Sequence, residues 1–168
     1  MTWRFYLLVP VLLALSACAP AGPGMHRSDI TGIEGGFSER TLISVDRDHL
    51  LYGQVLALRQ AGQTSLTVEI GQAIDGRHYR LRMDDAYRDG AALRFDGVSR
   101  REEYCAPGFG CRGYRTGFIH LSAQDFSDAA RRGLRAHLIG PDAMVEIFVP
   151  AEQFQQALRQ AQLMGVLP

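Results

Sequence analysis

The chain has 168 residues, 46% of them hydrophobic and 21% charged, with 18 basic and 18 acidic side chains that cancel. This is the composition of one ordinary globular domain, and it excludes a disordered or collagen-like chain. Zero net charge excludes a nucleic-acid binder working by bulk positive charge, and three cysteines without zinc-ligand clustering exclude a disulfide-built miniprotein. All 18 basic residues are arginine, scattered along the chain in a way that fits a coding bias better than a dedicated anion site.

Residues 1–17 read as a signal peptide, apart from the fold. Arg4 supplies a short positive start, Phe5 to Leu15 form an apolar run broken only by Pro10, and Ser16 and Ala17 lead to Cys18. Such a run is shorter than the roughly 20 residues that span a bilayer, and it matches the apolar region of a secretory signal. The segment Leu15-Ser16-Ala17-Cys18 resembles the lipobox of bacterial lipoproteins. That resemblance implies that the Cys18 thiol receives a diacylglyceryl group and that cleavage makes Cys18 the mature N-terminus. Its amine would then take a further fatty acid such as palmitate. Two or three acyl chains hold a protein to a membrane far more firmly than one. Ala19 stands where an aspartate would favour the inner membrane, so the resemblance implies the periplasmic face of the outer membrane.

Residues 18–36 read as the lipidated N-terminus and a flexible tether. Pro20, Pro23 and glycines 22, 24, 32, 35 and 36 fall in a stretch with little apolar periodicity. Fully extended, such a tether would reach roughly 60 Å. Residues 37–168 then form a single globular domain, long enough for one hydrophobic core.

Within it, Thr41–Val45 reads as a strand, and so does Leu50–Arg59, although its length also permits a helix. Leu66, Val68 and Ile70 alternate with Thr67 and Glu69, and Tyr79, Leu81 and Met83 alternate with Arg80 and Arg82. With Asp75-Gly76 between them, these two segments are expected to pair antiparallel. Leu93–Phe95 follows the Asp89-Gly90 turn as a further strand. The glycines between 108 and 117 read as a loop, and Tyr114–Leu121 as a strand. Ser122 suits the N-cap of a helix reaching about Arg132, with Asp125 in the first turn and Gly133 as C-cap. Leu134–Ile139 and Ala143–Val149 are strands around the turn Gly140-Pro141-Asp142. Pro150 opens a closing helix through about Leu163, with Phe154, Ala157, Leu158 and Ala161 on one face. Gln153, Gln155, Gln156, Arg159 and Gln160 dominate the other. The fold class is therefore α+β: a small antiparallel or mixed β-sheet packed by one or two C-terminal helices.

With Cys18 carrying lipid, Cys105 and Cys111 remain as an even pair in a compartment where disulfides persist. The turn formers between them favour closure, so a disulfide is expected. Their spacing and the Phe154–Leu158 segment also resemble the invasion-associated locus B family of small periplasmic proteins. The lipobox departs from that family's pattern, and no function is carried across.

No nucleophile elbow, zinc-protease motif, phosphate loop or dinucleotide fingerprint is present in the sequence. No cofactor or metal is expected. His120 and His137 fall in strands that could approach one another, and Ser122 is better read as a cap than as a nucleophile. Asp84, Asp85, Glu102 and Glu103 read as solvated charges at strand ends. The segment Arg100–Arg115 is the best candidate for partner binding. It gathers Arg100, Arg101, Arg112 and Arg115 with Tyr104, Phe109 and Tyr114 around the cysteine pair, and such residues are favoured where a surface binds something. Recognition there requires Arg112 and Arg115 to point outward.

The sequence thus favours a lipid-anchored periplasmic or cell-envelope lipoprotein, not an enzyme, with a binding, assembly or scaffolding role. Its partners would be the membrane, through Cys18, and an envelope protein or glycan, with no nucleic acid. The alternative is a periplasmic enzyme or small-ligand carrier whose site forms only in three dimensions. A deep polar pocket joining His120, His137 and an acidic residue would favour it.

Overall fold

Buried and half-buried side chains alternate along most of residues 51–60, the signature of a strand with one face on a core. The structure, a computed structural model, describes residues 22–45, 49–75, 83–97, 101–106, 110–141 and 143–167, with backbone alone at 73–75, 101–106 and 110–115. In chain order these form β1 (Gly24–Ser28), β2 (Ile33–Phe37), β3 (Thr41–Leu42), β4 (Leu51–Gln60) and β5 (Gln63–Asp75). Then come β6 (Asp85–Arg88), β7 (Ala91–Asp96), β8 (Arg101–Ala106), β9 (Gly110–His120) and α1 (Ala123–Arg132). The chain ends with β10 (Leu134–Ile139), β11 (Met144–Val149) and α2 (Ala151–Leu163). The class is α+β, and every strand pair among the described residues is antiparallel.

The strands run in the order β1-β2-β4-β5-β9-β7-β6-β10-β11, with β3 on β4 and β8 on β9. The sheet also closes on itself. Ser44 bridges Ile147, the Val45 amide donates to the Glu146 carbonyl at 3.0 Å, and the Phe148 amide donates to the Ile43 carbonyl at 2.8 Å. Residues 41–45 therefore join β4 on one side to β11 on the other, and the circuit is a barrel.

Strand β4 holds two partners along the same edge, β3 at Tyr52–Gly53 and β2 at Leu56–Gln60. Between them the edge is broken at Ser38, and side chains stitch the break. The fully buried Ser38 hydroxyl accepts from the Val55 amide at 2.9 Å, and Gln54 donates to the Ser38 carbonyl at 2.7 Å. Helix α2 lies against β2 and β4. Gly36 makes this approach so close that a Cβ there would stand 2.4 Å from the Ala161 nitrogen. The core follows the register, with Val55 opposite Val68 and Val68 opposite Ile119, all three fully buried. Phe154 of α2 joins it and meets Phe126 of α1 edge-on, with ring centroids 5.3 Å apart.

Most expected elements are present, including Leu51–Gln60 as a strand and both helices, with Ser122 and Gly133 capping α1. Four expectations are corrected. Residues 24–36 are not a tether, because β1 pairs with β2 and β2 with β4. Their glycines serve the turn at Gly32, where φ is +65°, and the packing at Gly36. The segment 66–70 pairs with β4 and β9 rather than with residues 79–83, and residues 76–82 lie outside the described residues. The supposed loop is strand, since Gly110, Gly113 and Gly117 belong to β9 and Arg101–Ala106 to β8. Gln153 and Gln156 are buried, not on a solvent face. The break after β2 leaves backbone and hydroxyl groups that they satisfy: Gln156 accepts from the Glu39 amide at 3.2 Å, and Gln153 donates to the Thr41 hydroxyl.

Candidate functional site

An antiparallel ladder fixes which residues meet, because side chains alternate between faces and opposite residues share one. In the β8–β9 hairpin, Arg101 is opposite Arg115, Glu102 opposite Tyr114, Tyr104 opposite Arg112 and Cys105 opposite Cys111. On its other edge, β9 sets Gln72 opposite Arg115 and Asp75 opposite Arg112. The hairpin thus brings together Arg101, Tyr104, Arg112, Tyr114 and Arg115, while Arg100 and Phe109 lie outside the described residues. Arg112 and Arg115 lie three positions apart on β9, and their side chains lie outside the described residues. Cys18 also lies outside the described residues.

A second constellation lies farther along β9. His120 is opposite Thr67 of β5 and Arg94 of β7, so the three form one row across the sheet. Asp96, two positions after Arg94 and on the same face, places Oδ2 2.7 Å from His120 Nε2. An ionised carboxylate only accepts, so the ring proton at Nε2 is directed at Asp96. Beside this pair opens a cavity of about 450 Å³. Ile33, Leu58, Leu66 and Leu121 give it apolar walls; Gln60, Gln63, Thr64 and Ser65 supply amides and hydroxyls; Arg94 and His120 complete it. Its size falls within the range of about 300–1,000 Å³ typical of small-molecule sites.

Other candidates disperse. The strands carrying His120 and His137 are separated by β7 and β6, and His137 is opposite Glu146 and Tyr87. Ser122 is committed to α1, accepting from the Asp125 amide at 3.1 Å and donating to the Asp125 carboxylate at 2.6 Å. Those contacts, with Arg88 at 2.5 Å, hold the Asp125 carboxyl below the ordinary carboxylate range. Asp84 donates its amide to the Ile139 carbonyl, and Asp85 heads β6. Among the described residues no group of three or more His, Cys, Asp or Glu side chains is placed to hold a metal ion. A smaller cavity of about 280 Å³ lies beside Arg88, Arg132 and Arg135, each of which pairs with a carboxylate.

Arg94 and Asp96 were not singled out by sequence reasoning. Their alternation around Phe95 could have marked them as sharing a face, but only the β7–β9 pairing brings them to His120. No protein-family model, curated protein or solved structure matches the chain, so the resemblance to the invasion-associated locus B family gains no support.

Proposed function

We propose that the protein is a lipid-anchored cell-envelope lipoprotein on the periplasmic face of the outer membrane, with a non-enzymatic role in binding, assembly or scaffolding. The observation that carries this reading is the short apolar run ending in Leu15-Ser16-Ala17-Cys18. The fold adds a constraint to it. Gly24 already belongs to the sheet and lies six positions after Cys18, a reach of about 20 Å at roughly 3.3 Å per residue. A lipid on Cys18 would therefore hold the barrel beside the bilayer.

Metabolic labelling with a radioactive fatty acid tests the anchor. The parent chain should take up label, and Cys18→Ser should lose it and accumulate as unprocessed precursor. Equal label on the two chains would remove the lipoprotein reading.

A second reading, that of a small-ligand carrier, is favoured by the cavity beside the His120–Asp96 pair. It meets part of the expectation for such a site, an acidic residue joined to His120 beside a polar pocket, without His137.

A further inference from the structure

We propose that the cavity between the β4–β5 hairpin and the end of β9 takes a small monocarboxylate with an apolar body, an assignment that rests on the carrier reading. Charge accounting points to the carboxylate. Of the nine arginines whose side chains are described, seven pair with Asp or Glu. Arg94 has no ion pair among the described residues, and it lines the cavity. Asp96, two positions along β7 on the same face, is turned to His120 at 2.7 Å. The cavity therefore offers one guanidinium that no carboxylate holds, and its planar fork of donors matches a carboxylate.

A single positive charge beside Asp96 suits one negative charge and disfavours a phosphate dianion, which would meet the Asp96 carboxylate with excess like charge. The apolar part of the lining sets the body of the ligand. Leu58, Leu66 and Leu121 present hydrocarbon within the same cavity, and a short alkyl chain gains from leaving water against them. Hydroxyls at Thr64 and Ser65 lie along the wall and leave room for polar substituents. Arg94 is exposed and sits at a register position without a core contact to lose, so its replacement leaves a folded chain.

Hexanoate, its neutral isostere hexanamide and inorganic phosphate serve as probes, with binding to the full chain followed by calorimetry and by amide shifts at Ser65 and His120. Hexanoate should bind about tenfold or more tightly than hexanamide, as loss of a charge-assisted hydrogen bond implies. Arg94→Gln should erase that preference, whereas Arg159→Gln, at the other arginine without an ion pair, should keep it. Equal binding of hexanoate and hexanamide, or unchanged hexanoate binding in Arg94→Gln, would overturn the carboxylate assignment while leaving a small-molecule cavity. Phosphate binding more tightly than hexanoate would replace it with an inorganic-anion site. If neither organic probe binds, the carrier reading falls with it.

Discussion

Gly36 of β2 and Ala161 of α2 meet backbone to backbone: a Cβ on Gly36 would stand 2.4 Å from the Ala161 nitrogen and 2.6 Å from the Ala157 carbonyl oxygen. Neither atom belongs to a flexible side chain. Gly36→Ala must therefore push the helix off the sheet, and overpacking of this kind costs about 1–3 kcal/mol. The urea midpoint should fall accordingly, while Gly22→Ala, with open space around it, should leave the midpoint unchanged.

Phe154 tests the same interface from the helix side. It is fully buried and packs edge-on against Phe126. Phe154→Ala should destabilise the fold by about 3–5 kcal/mol, and Phe154→Leu by much less. Denaturant unfolding of both variants measures the difference.

Legibility in the sequence followed the strength of local signals. Helix α1 was readable to its caps because Ser122, Asp125 and Gly133 each act on the adjacent backbone. Strand β4 was readable from alternating burial encoded in Leu51 to Leu58. The β1–β2 hairpin was not, because Gly35 and Gly36 replace the side chains that would announce a strand; Gly35 lies against Ala57 and Leu58 of β4, and Gly36 against a helix more than a hundred residues away. Strand β8 was missed because Arg101-Glu102-Glu103 carries no apolar alternation. The His120–Asp96 contact depends on pairing between β7 and β9, and pairing partners are set by the whole sheet rather than by either strand alone.

The cysteine pair gains a geometric basis. Directly opposite residues in an antiparallel ladder have Cα atoms about 4.5–5.5 Å apart, inside the range a disulfide accepts. Cys105 and Cys111 occupy such positions. Non-reducing peptide mass analysis of protein from the envelope should find them bonded, and free thiols at both would exclude it. Replacing both with Ser should lower stability by roughly 2 kcal/mol, the effect of opening a short ring.

The hairpin arginines should carry the partner contact expected of the Arg100–Arg115 segment. The double variant Arg112→Ala, Arg115→Ala should yield fewer crosslinked partners in the envelope than the parent chain, while unfolding at the same urea concentration. His120→Gln should keep the parent yield. Undiminished yield from the folded double variant would remove the hairpin as a contact surface.

Acid should weaken the fold through two carboxylates. Glu34 is held below its ordinary pKa by hydrogen bonds from Arg59 and then Arg27, and Asp125 by those from Ser122 and then Arg88. A carboxyl lowered in the folded state binds fewer protons there than in the unfolded chain. Its contribution is complete above the unfolded value near pH 4 and is lost as pH falls through the folded value. Urea midpoints should fall below about pH 4–5, and the double variant Glu34→Gln, Asp125→Asn should show a shallower fall over the same window.

The seam that joins Ser44 to Ile147 links positions 103 apart in the chain. Contacts of such long range form late, since the loop between them must close first. Until residues 144–149 have emerged and docked, Ile43–Val45 presents an unpaired edge that can template association with another chain. The ring is thus completed by the last of the described strands to leave any pore the polypeptide passes through, and a chain truncated before Met144 would keep that edge open permanently.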